Sequence, residues 1–206
     1  MAWLLACARI QYGSLVIISA RLTLKSNVLV VSGLWDSGPE HWQTHWMKDQ
    51  PDWSKVAHRD FAAPLRDEWV AELDAAIAAC EGPPVLLAHS LGCMLVVQWA
   101  QSGSPLTIAG VMLVAPSDVE AQSYPIHPNG FTPIPQIPLP FPSLLVASTN
   151  DEYADIGRSR AWAQAWGSEL VELGDAGHIN GDAGYGPWPE GLALLEKFTA
   201  SLPGAD

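Results

Sequence analysis

Ser90, Asp151 and His178 are residues whose types could share one proton and whose places in the chain could bring them together. A serine hydroxyl is a weak nucleophile at neutral pH. A histidine that takes its proton during attack on an acyl carbon removes that obstacle, and a carboxylate that holds the histidine in the right tautomer completes the relay. Each of the three follows an apolar run: Ser90 comes after "VLLAH" (85–89), Asp151 after "SLLVASTN" (143–150), and His178 lies in the glycine-rich "LGDAGHINGDAG" (173–184) that follows "ELVEL" (169–173). Asp118, behind "VMLVA" (111–115), is a second carboxylate with the same kind of placement. Ser90 could also be no more than a helix N-cap, since serine is common there. Capping does not require small residues two positions either side, and Ala88 and Gly92 are both small. A serine on a very tight strand-to-helix turn does require them, because larger side chains would collide.

Attack by Ser90 would need two N–H donors for the developing oxyanion. The sequence offers the backbone of Leu91, at the start of the helix after the serine, and that of Leu34 in "VVSGLWDSG" (30–38), with Trp35 as the fallback. Trp35 and Phe131 are candidates to line the pocket, which would then suit an apolar or aromatic acyl group. The other histidines have plainer readings. His89 adjoins Ser90, so its side chain should leave the turn in another direction, and His58 and His127 suggest no role. His41 and His45 stand i, i+4 in "HWQTHW" (41–46), the spacing of a helical metal site, but Trp42 occupies the place of the glutamate in H-E-x-x-H and no third ligand is evident. No metal and no cofactor is expected. Trp42 and Trp46, one turn apart on the same segment, read as core.

The elements that must position these groups alternate. "VLVV" (28–31), "VLLA" (85–88), "VMLVA" (111–115) and "LLVAS" (144–148) are short continuous apolar runs, the pattern of parallel strands buried on both faces. Between them, "DEWVAELDAAIAAC" (67–80) sets Trp69, Leu73, Ile77 and Cys80 on one helical stripe, and similar stripes run through 91–101 and 156–166, with a last helix over 189–200 opened by Pro189. Asp155 is placed to cap the helix at 156. Alternating strands and helices predict an α/β fold, a three-layer α/β/α sandwich with a mostly or wholly parallel sheet, in which ligands bind at the carboxyl ends of the strands. All three relay residues fall at such ends. Residues 116–143 interrupt the alternation with many prolines and no period, which reads as a long stiffened loop, either a lid or pocket wall or a simple surface excursion.

Composition narrows the function. The chain has 206 residues, enough for one domain spanning 28–206 with its own core. Its 22 acidic residues against 10 basic ones give a net charge of −12 with no basic cluster, which argues against nucleic acid or an anionic membrane as partner. Cys7, Cys80 and Cys93 are too few and too irregular for a disulfide framework, which suits a reducing, cytoplasmic setting, and Cys93 reads as a packing residue. Residues 1–27 are apolar in two patches broken by Arg9 and Arg21, too short for a membrane span, and only Met1 and Ala2 precede Trp3 where a secretory leader would carry positive charge. They are expected to be an extension outside the core fold. The oligomeric state leaves no mark in the sequence.

The order Ser, Asp, His along the chain is that of the α/β-hydrolase architecture. More specifically, "GLWDSGPEHWQTHW" (33–46), "AHSLGC" (88–93), "APSDVE" (115–120), "STNDEY" (148–153) and "GHINGDAGYGPWPEG" (177–191) make the chain, from Val28 to about Leu202, resemble the small serine hydrolases grouped with the retinoblastoma-binding hydrolase. That resemblance implies a shortened α/β-hydrolase fold lacking the first two strands and a large cap domain, and it selects Asp151 over Asp118 to accompany Ser90 and His178. Ala88 departs from the usual G-x-S-x-G, and residues 1–27 have no counterpart. The expected function is hydrolysis of a small acyl ester, or an amide, through an acyl-enzyme on Ser90, with a small acyl molecule as partner. The alternative is a catalytically silent hydrolase fold acting as a protein-interaction module. Such a module would be expected to lose a triad member, and "LACAR" (5–9) has Arg9 where an L-x-C-x-E binding segment needs glutamate.

Overall fold

In the computed structural model, which describes residues 27–203, the apolar runs become strands of one sheet. In chain order the elements are β1 (Val28–Val31), α1 (Trp42–Asp49), β2 (Ser54–Lys55), α2 (Arg66–Ala78), β3 (Val85–His89), α3 (Leu91–Ala100), β4 (Gly110–Val114), β5 (Ser143–Ala147), α4 (Ile156–Trp166), β6 (Glu169–Glu172) and α5 (Pro189–Ala200). The six strands lie in the order β2-β1-β3-β4-β5-β6, and every pairing is parallel. Strand side chains alternate between two cores. Leu29, Val31, Leu86, Ala88, Leu113 and Leu145 face a core shared with Trp69, Leu73 and Trp162 of α2 and α4, whereas Val28, Val30, Leu87, Met112 and Val146 face one built with Trp42 and Trp46 of α1 and Leu195 and Phe198 of α5. Both faces of the sheet's centre are therefore dry, which is why β1, β3, β4 and β5 read as apolar runs. The predicted three-layer α/β architecture is the observed one.

Two expectations need adjustment. β2 is a two-residue edge strand, Ser54 and Lys55, with no apolar run to announce it, and Cys80 lies past the end of α2, half-buried rather than on the buried stripe of Trp69, Leu73 and Ile77. The segment expected as an extension, residues 1–27, falls outside the described residues except for Asn27. No helix among the described residues is long and apolar enough to cross a membrane.

The strand order reverses at β1. From β1 the chain steps outward to β2, then returns to place β3 on the other side of β1. The loops after β1 and β3 consequently diverge and open a crevice at the carboxyl end of the sheet. Gln43 of α1 ties β1 to β3, donating its amide to the Leu87 carbonyl at 3.0 Å and the Val31 carbonyl at 3.4 Å. The long segment after β4 is tied down: Gln98 donates to the carbonyls of Phe131 and Pro133, the Trp166 indole donates to Pro135, and the Ile134 N–H donates to Glu120.

Candidate active site

Ser90 occupies the turn between β3 and α3 at φ 57, ψ −124, a conformation that L side chains rarely adopt. Its hydroxyl makes no hydrogen bond to the helix it precedes. Instead Oγ lies 2.9 Å from His178 Nε2. The capping reading is thereby excluded. The small neighbours behave as the tight turn demands: a Cβ on Gly92 would fall 2.5 Å from the Val31 carbonyl oxygen and 2.7 Å from that of Ser32, while Ala88, on β3, packs its methyl into the core at no exposure.

His178 Nδ1 lies 2.9 Å from both carboxylate oxygens of Asp151. The two side chains are 6% and 3% exposed, so water does not compete for the pair. Because the carboxylate accepts at Nδ1, Nε2 is the nitrogen left to take a proton from Ser90. Asp118 is committed elsewhere, receiving Arg158 Nε at 2.8 Å and Nη2 at 3.1 Å. Asp155 caps α4 through the Gly157 N–H, as expected. The loop bearing His178 is gripped from the end of β5, where Ser148 Oγ accepts from the Ala176 N–H at 3.0 Å and Asn150 Oδ1 from the Gly177 N–H at 2.7 Å.

Gly33 brings the loop after β1 against this turn: a Cβ there would stand 2.8 Å from Ser90 Cβ and 3.0 Å from the Leu91 nitrogen. The Trp35 N–H donates to the Phe61 carbonyl at 2.9 Å, which removes Trp35 as an oxyanion donor. Among the described residues the N–H groups of Leu34 and Leu91 have no backbone acceptor, and both residues border the cavity or the serine it serves. Two unspent donors are thus available, one in the loop that Gly33 brings against Ser90 and one on the residue after the serine, the number that oxyanion stabilisation would use.

The cavity above Ser90 and His178 has a volume of about 420 Å³. Trp35 lines it and is 57% exposed at the mouth. Phe131 does not join it. That ring is fully buried, edge-on to Trp69 with centroids 5.9 Å apart, because the turn at Gly130 and the Gln98 amide on the Phe131 carbonyl aim it into the core. Tyr124 and Tyr153 supply the aromatic wall instead. Tyr153 packs edge-on to His178 at 4.5 Å, and burial pushes the Tyr124 phenol up to about 12, so it stays protonated.

His41 and His89 also border the cavity. His41 caps α1, its Nδ1 accepting the Gln43 N–H at 3.2 Å, and its ring lies edge-to-face with His89 at 4.6 Å. Burial, then repulsion from His178, lowers its pKa to about 4. His89 is not directed away from the base: its ring centroid is 4.8 Å from that of His178. His45 stands 3.8 Å from Glu40, and among the described residues no group of three or more His, Cys, Asp or Glu side chains could hold a metal. His58, to which the sequence assigns no role, stacks on Trp69 at 3.9 Å and bonds to Glu72 at 2.6 Å. Cys93 donates its thiol to the Val114 carbonyl, and burial holds that thiol well above its usual pKa, as befits a packing residue.

A parallel sheet, a serine on a strained strand-to-helix turn and a His-Asp pair opposite it define an α/β-hydrolase-fold protein. Residues 28–197 match the family described as serine hydrolase, and the chain belongs to that family. Among solved structures it is similar to a YdeN-like hydrolase of Pectobacterium atrosepticum, with 39% identity over 86% of this chain and 92% of that one and a TM-score of 0.77. The ydeN gene product of B. subtilis shares 21% identity over 85% of this chain and 100% of its own, with a TM-score of 0.70. A monoacylglycerol lipase of Paleococcus ferrophilus, at 15% identity over 86% of this chain and 95% of that one, shares the fold with a TM-score of 0.61. The chain has no match among curated proteins.

Proposed function

We propose that this serine hydrolase is an esterase for small acyl esters, working through an acyl-enzyme on Ser90 with His178 as general base and Asp151 as its orienting acid. The observation that carries the reading is the unbroken relay: Ser90 Oγ to His178 Nε2 at 2.9 Å, and His178 Nδ1 to Asp151 at 2.9 Å. Oγ attacks the acyl carbon as Nε2 takes its proton, and the carbonyl oxygen becomes an oxyanion facing the N–H groups of Leu34 and Leu91. Collapse expels the alcohol, which leaves with the proton from Nε2. Water then repeats the sequence on the acyl-serine, releasing the acid and restoring Ser90. The atoms balance with ester and water alone.

A cavity of about 420 Å³ walled by Trp35, Tyr124 and Tyr153 supports a small apolar or aromatic acyl group. Labelling with a fluorophosphonate, read by peptide mass spectrometry, tests the reading. The expected result is one adduct on Ser90, absent from Ser90→Ala, with parallel loss of p-nitrophenyl acetate hydrolysis. A folded wild-type protein that neither labels nor hydrolyses the ester would overturn it.

A further inference from the structure

His178 and Ile179 present consecutive carbonyls, and each is taken by a buried ring N–H from a different element. Trp42 of α1 donates its indole Nε1–H to the Ile179 carbonyl at 2.8 Å. His89, at the end of β3, bonds through Nε2 to the His178 carbonyl at 3.0 Å. A carbonyl only accepts, so that His89 nitrogen carries the hydrogen. Burial first, then the neighbouring His41 and His178, keep the His89 ring neutral by lowering its pKa well below the usual value.

The segment they hold is strained. Ile179 is fully buried at φ 48, a region that β-branched residues rarely adopt. Such a conformation persists only where the surroundings over-determine it. Here the N–H groups upstream of His178 are held by Ser148 and Asn150, and the carbonyls of His178 and Ile179 by His89 and Trp42. The peptide groups entering Gly177 and leaving His178 are thereby held, and the His178 ring reaches Ser90 and Asp151 together. His89 has particular leverage, because it is bonded in sequence to Ser90: one residue sets the nucleophile and the base relative to each other.

Resting on the reading of Ser90, His178 and Asp151 as the reacting relay, we propose that His89 and Trp42 are positioning residues for the base, their N–H groups holding the His178–Ile179 segment where the imidazole bridges Ser90 and Asp151. Neither belongs to the relay. Their effect is on the alignment of the proton transfer, where a displacement of about 1 Å costs on the order of 100-fold in rate.

Trp46 provides a matched control. It lies one turn along the same helix, packs 4.6 Å from Trp42, and donates its indole to the Pro187 carbonyl at 2.6 Å, away from the base. The test compares full-length wild type with Trp42→Phe, Trp46→Phe, His89→Leu and His89→Gln. It reads the fluorophosphonate labelling rate, kcat and KM on p-nitrophenyl acetate, and the NMR signal of the His178 Nδ1 proton. Trp42→Phe and His89→Leu are expected to lower labelling and kcat by roughly 10- to 100-fold with KM within about twofold, and to move the Nδ1 signal. His89→Gln, whose amide N–H reaches the same carbonyl, recovers most of the rate. Trp46→Phe loses an equivalent bond and keeps wild-type rates. Wild-type rates in Trp42→Phe and His89→Leu, or an equal fall in Trp46→Phe, would overturn the positioning role while leaving the relay intact. A wild type that fails to label overturns the relay itself. Should His89→Leu not fold, the comparison of Trp42→Phe with Trp46→Phe decides.

Discussion

Ser90 Oγ is bonded to His178 Nε2 at 2.9 Å and to nothing in the helix that Ser90 begins. The serine therefore holds φ 57 without the compensation a cap would give. Strain of that kind is stored at reacting groups and is worth on the order of 1–3 kcal/mol. Glycine adopts the same backbone without a Cβ penalty. Ser90→Gly is accordingly expected to melt above Ser90→Ala by the equivalent of about 1 kcal/mol, while both lose at least about 10³-fold in esterase rate. Thermal melts of the two variants measure the strain; equal melting temperatures would mean the turn is not strained.

Gly92 allows the opposite experiment. A Cβ at 2.5 Å and 2.7 Å from the carbonyl oxygens of Val31 and Ser32 meets backbone that cannot step aside, since β1 is hydrogen-bonded on both edges. Gly92→Ala should destabilise by about 1–3 kcal/mol and displace α3 from β1, widening the gap between the Leu34 and Leu91 donors. The expected signature is a fall in kcat larger than the fall in stability explains, read on protein that denaturant curves show to be folded.

The two carboxylates are separable. Asp151 faces only the base and local backbone, whereas Asp118 carries the Arg158 guanidinium, which also reaches Glu120 at 2.6 Å. Asp151→Asn should lower kcat by about 10⁴-fold, through loss of the tautomer that leaves Nε2 free, with little change in stability. Asp118→Asn should do the reverse, loosening the segment after β4 with kcat within a fewfold. Steady-state rates and urea midpoints for the pair check both halves.

Ser90 and Asp151 were legible as candidates because each follows an apolar run, and strands buried on both faces make such runs conspicuous, Val85–His89 before Ser90 and Ser143–Ala147 before Asp151; His178 follows the half-exposed Glu169–Glu172 and stood out by its glycine-rich loop instead. What the sequence concealed depends on contacts between distant segments. Leu34 rather than Trp35 is the free donor because the Phe61 carbonyl, 26 positions beyond Trp35, takes the tryptophan's N–H. Phe131 looked like a wall residue, but its direction is set by Gln98 and a glycine turn, while Tyr124 and Tyr153 became the wall from segments with no period at all. β2 escaped because two residues, one of them Lys55, carry no alternation to detect. The contacts of His41 and His89 join α1, β3 and the loop after β6, segments far apart in the chain, which local pattern does not encode.

His41 gives the fold a pH dependence. Its folded pKa, near 4, lies below the unfolded value of 6.5, so between these limits the unfolded chain binds more protons and stability falls as pH falls. The contribution is fully present above about pH 6.5 and lost by about pH 4, with a size of about 3 kcal/mol. His89, lowered in the same direction, adds to it. In His41→Asn, which keeps a capping oxygen for α1 and removes the titration, the loss of stability between pH 6.5 and 4 should shrink; urea midpoints across that range compare the two proteins.

Charge should select among substrates. Among the described residues the charged side chains bordering the cavity, apart from its histidines, are Asp36, Glu40 and Asp182, all acidic, and Asp36 is paired with Lys55 at 2.5 Å. Burial works to raise the Asp36 pKa, but Lys55, the Ser37 backbone and the Ser32 hydroxyl together outweigh it, and the carboxyl is held below its ordinary value. An ester bearing a free carboxylate approaches a mouth of like charge on a protein whose net charge is −12. At low salt its kcat/KM should fall about tenfold or more below that of a neutral ester of equal length, and the gap should narrow as ionic strength rises and the Debye length contracts to about 8 Å. Glu40→Gln with Asp182→Asn should close much of it without altering kcat on the neutral ester, because both side chains border the mouth and neither belongs to the relay. Equal kcat/KM for the two esters at low salt would show that the acids lie too far from the bound acyl group to select, leaving the aromatic wall of Trp35, Tyr124 and Tyr153 as the discriminating surface.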